Sequence, residues 1–234
     1  MTRNPPEISE DLLSQAVPDY MQEVYDWAYV NPRYVNRLDH NWVVRVLLFG
    51  NDQRLMRAYL AQIQPGMKVW QVAHVYGDLV RRVALRVGAG GRFDLTDVTP
   101  IQVEHATHKL QGMAHARVIH ADAARHEGPG DYDLIASFFL LHEVPDSLKH
   151  EIVDNMLRQL PEHGRAVFVD YHRPRWWQPI GWLLRWVNAR LEPFAHALWQ
   201  HEIQTYASEP ERYTWSKRTV FGGVYQVVLV EHRA

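Results

Sequence analysis

A chain of 234 residues with 47% hydrophobic side chains suits one main α/β domain with some added helix, long enough to bury a sizeable core. A formal charge of −2 offers no electrostatic case for a nucleic-acid partner, and the lack of cysteine excludes disulfides, a thiolate nucleophile and cysteine-ligated zinc or iron–sulfur centres. Met1 to Ser14 has prolines and acids where a signal peptide needs a basic start and an apolar run, so a cytoplasmic location is expected.

Residues 1–15 read as frayed, and Tyr20 to Phe49 places Tyr25, Trp27, Tyr29, Tyr34, Trp42 and Val46 at mixed helical spacings, which predicts helices ahead of the core. Arg54 to Ile63 reads as a further helix stopped by Pro65-Gly66. Lys68 to Ala73 is the first expected strand and Leu79 to Val87 the helix beneath it. Glycines 88, 90 and 91 lead to a second strand, Arg92 to Val98. A helix with Val103, Ala106 and Leu110 follows, then strands around Arg117 to His120 and over Tyr132 to Phe139. Leu148 to Leu160 reads as a helix, Arg165 to Asp170 as a fifth strand, and Tyr213 to Thr219 with Val224 to Glu231 as a final antiparallel pair. Strands alternating with helices mean βαβ units and a mostly parallel, Rossmann-like α/β sheet. The expected division is an N-terminal helical lid or extension over 1–64 and a cofactor-binding domain over 65–234, with an amphipathic Trp-rich insertion at 176–199.

The stretch Val69-Trp-Gln-Val-Ala-His-Val-Tyr-Gly-Asp78 stands where a dinucleotide or S-adenosylmethionine (SAM) site has its first strand and Gly-rich turn. It keeps one glycine, Gly77; Ala73, His74, Val75 and Tyr76 take the other positions. Asp97, about 20 residues after the turn, is placed for ribose hydroxyls. Asp122 is placed for an adenine edge, and Phe138 or Phe139 for the ring. Both acids also suit helix capping. The expected cofactor shell is Gln71, Ala73, Tyr76, Gly77, Asp78, Asp97, Val98, Asp122, Ala123 and Phe138. Tyr76 would position or relay a proton, or else fill the volume that glycines leave; Asp78 would hold the SAM amino group or only begin the following helix. Tyr25, Tyr29 and Arg33 form a lid, with Arg33 on the SAM carboxylate, or else pack on the sheet.

The strings Val24-Tyr-Asp-Trp-Ala-Tyr-Val-Asn-Pro32, Val75-Tyr-Gly-Asp78, Phe138-Phe-Leu-Leu-His-Glu143, Val169-Asp-Tyr-His-Arg-Pro174, Leu191-Glu-Pro-Phe-Ala195 and Phe221-Gly-Gly-Val-Tyr-Gln226 together resemble the rhodoquinone-biosynthesis enzymes of the RquA type, over nearly all the chain after residue 20. The resemblance implies a class I SAM-dependent methyltransferase fold. It also implies conversion of ubiquinone to rhodoquinone, an amino-for-methoxy replacement with SAM as amino donor and manganese assisting. His74 departs from the pattern, where a small residue such as Cys is expected. For that chemistry the proton acceptors would be His142, His172 or Asp170, with Tyr76 beside them. The hard-ligand set for manganese would be Glu143, Asp170, His142 and His172, all at strand carboxyl ends, where an open α/β sheet gathers its ligand site. In the bland reading His142-Glu143 starts a helix and Asp170 and His172 satisfy loop backbone.

Trp176, Trp177, Trp182, Trp186 and Trp199 share the segment 176–199 with Leu183, Leu184, Val187, Leu191 and Phe194. Pro179, Arg185, Arg190, Glu192 and Pro193 argue against a spanning helix, whereas tryptophan, leucine and arginine together suit a membrane interface or a lid over an isoprenoid tail. A cap packed on the domain or on a dimer partner is the alternative. The expected protein therefore uses SAM on a lipid quinone at the inner face of the cytoplasmic membrane, as an aminating enzyme. The alternatives are a conventional methyltransferase on a quinone or other hydrophobic acceptor, and a catalytically silent SAM- or quinone-binding protein.

Overall fold

The structure, a computed structural model, describes residues 38–184 and 194–233; the expectations for Tyr25, Tyr29, Arg33 and Trp186 lie outside them. Two short helices, α1 (Asn41–Leu47) and α2 (Asp52–Leu60), precede the first strand, β1 (Lys68–Val72). Then come α3 (Leu79–Val87), β2 (Arg92–Asp97), α4 (Pro100–Lys109), β3 (Ala116–His120), β4 (Leu134–Phe138), α5 (Asp146–Arg158) and β5 (Arg165–Tyr171). A short helix α6 (Ala197–Gln200) leads to the closing hairpin of β6 (Tyr213–Val220) and β7 (Tyr225–His232).

The seven strands lie in the order β3-β2-β1-β4-β5-β7-β6. Strands β1 to β5 pair in parallel, while β7 runs antiparallel to both β5 and β6. The order reverses between β1 and β4, so these neighbours leave their carboxyl ends open for a ligand.

Period-two alternation explains the two cores. Val69, Leu134, Ala136, Val167 and Val169 face one side, with Leu79, Val80 and Val83 of α3 and Leu55, Met56 and Tyr59 of α2. Trp70, Ile135, Ala166 and Phe168 face the other, against Ile152, Val153 and Met156 of α5. α1 and α2 share the first core with β1 and α3, so the described part of the expected lid or extension, residues 38–64, packs on the main domain; residues 1–37 of it lie outside the described residues. Local spacing explains α3: its buried residues Leu79, Val80, Val83, Ala84 and Val87 form one helical stripe.

A buried carboxylate ties the sheet's N-terminal side together. Asp94 on β2 accepts hydrogen bonds from Arg117 Nε and Nη2 at 2.8 Å each and from the Tyr132 hydroxyl at 2.9 Å, which offsets the cost of desolvating it. No helix among the described residues is long and apolar enough to cross a membrane.

Candidate functional site

The turn after β1 is built from a left-handed Ala73 (φ 70°) and a left-handed Gly77 (φ 81°). A Cβ on Gly77 would stand 2.6 Å from Asn41 Oδ1, so the one retained glycine is required both by conformation and by close approach. Its N–H donates to Asp39 Oδ1 at 2.7 Å, and the Asp78 N–H donates to Asn41 Oδ1 at 2.9 Å.

Where further glycines would leave space, side chains interlock. Lys109, at the end of α4, donates to Asp39 Oδ1 at 2.6 Å and to the Gly77 carbonyl at 2.8 Å, and its Nζ lies 3.0 Å from His74 Nε2. His74 Nδ1 lies 2.7 Å from Gln102 Oε1, and Gln102 Nε2 donates to the Tyr76 hydroxyl at 3.1 Å. Since Lys109 can only donate and Gln102 Oε1 can only accept, His74 is assigned as the neutral tautomer with its proton on Nδ1. Burial and the neighbouring Lys109 ammonium pull its pKa down to about 3. Burial alone would raise Asp39, but the bonds from His105 and Lys109 and the Lys109 charge hold it well below the usual carboxylate range. Burial lowers Lys109 against the opposing pull of Asp39.

Beside this turn a cleft opens, walled by Ala73, His74, Asp97, Thr99, Asp122 and Glu143 and floored by Leu140, Val144, Leu148 and Ile152. Asp97 ends β2, where the sequence spacing puts it, with one oxygen accepting from His74 N–H at 2.8 Å and the other from the Thr99 N–H and hydroxyl at 2.8 and 2.7 Å. Burial pushes its pKa up against these bonds. Each carboxylate oxygen has more than one acceptor direction, so Asp97 has capacity for a diol as well. Asp122 lines the cleft while its Oδ1 accepts the Ala124 N–H at 2.9 Å; this closes a turn, since no helix stands between β3 and β4 for Asp122 to cap. Val98 and Ala123 also line it.

Five expected cofactor residues do not line the cleft: Gly77, in the turn already described, and Gln71, Phe138, Tyr76 and Asp78. Gln71 is fully buried, accepting from the Tyr59 hydroxyl at 2.9 Å and donating to the Ala73 carbonyl at 3.1 Å; it shapes the turn from behind. Phe138 is buried edge-on against Tyr59, with ring centroids 5.4 Å apart, because its position on β4 points into the first core, and Leu140 reaches the cleft instead. Tyr76 is buried beneath the turn with its pKa raised by desolvation. That phenol stays protonated and cannot act as a base near neutral pH. Asp78 begins α3 and binds Arg82 Nε and Nη2 at 2.9 and 2.8 Å through Oδ2. Its buried Oδ1 has no hydrogen-bond partner among the described residues, which leaves an acceptor for an ammonium at the turn.

The ends of β4 and β5 converge on a dyad. Asp170 Oδ2 accepts the Leu141 N–H at 2.8 Å, and Oδ1 lies 2.9 Å from His142 Nδ1. Both residues are buried. A proton on Nδ1 held by Asp170 makes Nε2 the nitrogen that accepts one. The imidazole meets Tyr171 and Phe139 edge-on, with centroids 4.9 and 5.7 Å away, and Glu143 Oε1 is 3.6 Å from Nε2. His172 does not join them. Its Nδ1 lies 3.0 Å from the Gly223 carbonyl, and Lys217 Nζ is 3.2 Å from its Nε2, so it fixes the β6–β7 turn. Among the described residues no three His, Asp or Glu side chains are gathered for a metal ion; of the expected ligand set, His172 faces the hairpin, and Asp170 and Glu143 meet opposite nitrogens of His142.

Sequence reasoning missed Asp39, Gln102 and Lys109. A signal for the last two exists: Gln102, His105 and Lys109 recur at helical spacing along α4, a polar stripe on one face of a helix that also buries Ile101 and Ala106.

Residues 69–164 match a family described as a methyltransferase domain. The ubiquinone/menaquinone biosynthesis C-methyltransferase UbiE of Idiomarina loihiensis is 32% identical over 141 residues, 56% of this chain and 55% of that protein. The chain thus spans about half the length of the curated relatives it matches. Among solved structures, the N-methyltransferase NodS of Bradyrhizobium japonicum superposes with a TM-score of 0.56 at 15% identity, over 78% of this chain and 94% of that one. A TehB-like SAM-dependent methyltransferase of Corynebacterium glutamicum gives 0.54 at 17% identity, over 87% and 100%. With the sheet order and the antiparallel β7, these likenesses establish a Rossmann-like, class I methyltransferase fold.

Proposed function

We propose that the protein transfers the methyl group of SAM to a ring position of a quinone-type acceptor. The observation that carries the reading is the His142–Asp170 dyad, whose neighbour Glu143, 3.6 Å from His142 Nε2, lines the same cleft as Asp97. The match over residues 69–164 and relatives named for ubiquinone and menaquinone biosynthesis support it.

The donor set suits SAM. Asp97 accepts the ribose hydroxyls, Asp122 meets the base edge, the Leu140, Val144, Leu148 and Ile152 floor packs a flat ring, and Asp78 Oδ1, without a partner among the described residues, accepts the ammonium of the methionine end. SAM supplies an electrophilic methyl on sulfonium. His142 Nε2 takes the proton of an acceptor ring hydroxyl, which raises the electron density of the neighbouring ring carbon. That carbon forms the new bond to the methyl as the sulfur–methyl bond breaks, its electron pair staying on sulfur to give S-adenosylhomocysteine; the displaced ring proton leaves to solvent, which restores aromaticity, and the imidazolium returns its proton to the ring oxygen. Asp170 orients the imidazole and stabilises its charged form, the role a buried carboxylate plays behind a histidine base.

Anaerobic incubation with methyl-deuterated SAM and a short-chain, reduced quinone precursor, read by mass spectrometry, tests the proposal. A labelled methyl on the ring with stoichiometric S-adenosylhomocysteine is expected, and binding of SAM without turnover on any quinol would refute it. The strings Val75-Tyr-Gly-Asp78 and Phe138-Phe-Leu-Leu-His-Glu143 favour one second reading, the amino-for-methoxy replacement of the resembling enzymes, although His74 departs from their pattern. Product mass distinguishes the two.

A further inference from the structure

Eight large apolar side chains stand exposed among the described residues. Seven lie on two short segments: Trp42, Val46 and Leu47 of α1, and Trp176, Trp177, Trp182 and Leu183 after β5; only Leu85 lies elsewhere. Trp176 and Trp182 are 90% and 72% exposed, a heavy cost in water for side chains of this size.

The segments are far apart in sequence and adjacent in space, joined by the β6–β7 turn. Phe221 stacks on Phe49, just past α1, with centroids 6.4 Å apart. On the other side Gln178 Nε2 donates to the Phe221 carbonyl at 3.0 Å, and the Arg175 N–H donates to the Gly222 carbonyl at 2.8 Å. A Cβ on Gly222 would stand 3.2 Å from the Trp177 ring. The turn therefore seats both patches on one side of the molecule.

Their charge is one-sided. Residues 40–51 and 171–184 contain no Asp or Glu, while Arg45, Arg173 and Arg175 are exposed. A two-fold contact with a second copy would set these arginines against one another without a carboxylate from either segment to offset them. An anionic bilayer surface takes both features at once, tryptophans at headgroup depth and arginines on phosphate.

We infer that α1, the 172–184 segment and the β6–β7 turn form one face that docks on an anionic lipid surface. The position of the face relative to the dyad fits a lipid-borne acceptor, a point that rests on the function proposed above. From Phe49 the rings run through Phe221, Tyr225 (centroids 6.2 Å apart) and Tyr171 (5.6 Å) to His142 (4.9 Å), so the base lies behind the docking side.

Sedimentation of the full chain with vesicles of phosphatidylcholine doped with phosphatidylglycerol tests the inference. Wild type should pellet with anionic vesicles and be released by salt. Trp42→Ser with Trp182→Ser should lower partitioning at least ten-fold, and each of Arg45→Ser, Arg173→Ser and Arg175→Ser about five-fold. All these side chains are exposed, and matching thermal melts confirm that the variants fold. Turnover of a water-soluble, tail-less acceptor should stay unchanged in the same variants, so a failed docking face and a failed catalytic assignment give separate results. Equal pelleting of wild type and variants, absence of wild type from anionic vesicles, or a wild-type dimer that Trp182→Ser dissociates would overturn the inference.

Discussion

Replacing Lys109 by Met tests whether the interlocked turn is held by charge or merely filled by volume. The ammonium makes a 2.6 Å bond to Asp39 Oδ1 with side-chain exposures of 18% and 9%, and a 2.8 Å bond to the Gly77 carbonyl. Without it the Asp39 carboxylate keeps the Gly77 N–H and a 3.3 Å contact to His105, but no full positive charge bonded at close range. Breaking a buried pair by removing one partner costs about 3–5 kcal/mol; with Lys109 partly exposed the lower end applies, about 3 kcal/mol, or roughly a fifth or more of the total stability of a domain. Asp39→Asn removes the opposite charge, and the double variant leaves neither charge unpaired. Urea unfolding at neutral pH and low salt should show the double variant at least about 1.5 kcal/mol more stable than the sum of the single losses implies, within the range for directly paired residues. Strict additivity, or a Lys109→Met variant as stable as wild type, would mean that the network only occupies space.

The same sign argument governs pH. His74 is held neutral with its pKa near 3, so the unfolded chain binds a proton below about 6.5 that the folded chain refuses, and stability falls with acidification by up to about 1.4 kcal/mol per pH unit. His74→Gln should flatten urea-derived stability between about pH 6.5 and 4.5, above the window where the depressed Asp39 begins to lose its contribution; an unchanged slope would disprove the assignment. Asp97→Ala should weaken SAM binding in calorimetry by about 1.5–3 kcal/mol per lost charge-assisted bond, and unaltered affinity would remove Asp97 from the ribose role. His142→Gln and Asp170→Asn should each lower kcat by roughly 10²–10⁴ with SAM affinity retained. A loss confined to KM would place the dyad in acceptor binding only.

The sheet was legible because its evidence is local. Val69, Leu134 and Val167 alternate with Trp70, Ile135 and Ala166 at the period that separates two faces, and the paired expectation for the closing hairpin shares the start of β6 and differs by one residue at the end of β6 and at both ends of β7. The place of Asp97 at the end of β2 was legible from its distance to the turn, and the meeting of His142 and Asp170 from their standing at adjacent strand ends. The interior of the turn was not. Asp39 arrives from before α1 and Lys109 from the far end of α4, and no spacing rule relates two residues that meet only when the sheet twists them together.

That non-local network also explains how a turn with one glycine keeps its shape. A glycine turn presents bare backbone, and the ligand or water satisfies its polar groups. Here the backbone groups of Gly77 and Asp78 are met from within, by Asp39, Asn41 and Lys109, and Asp97 takes the His74 N–H. Ala73 remains in the left-handed region at φ 70°, a conformation that costs a residue with a Cβ of order 1 kcal/mol. It is pinned on both sides by its own N–H to Thr96 and by Gln71 to its carbonyl. The backbone path of a nucleotide turn is thus kept without its glycines, held by protein donors and acceptors that are present before any ligand arrives. A turn organised in this way fixes the cleft wall at Asp97 and His74, and the proposed chemistry then depends on what is brought to Glu143 and, behind it, His142.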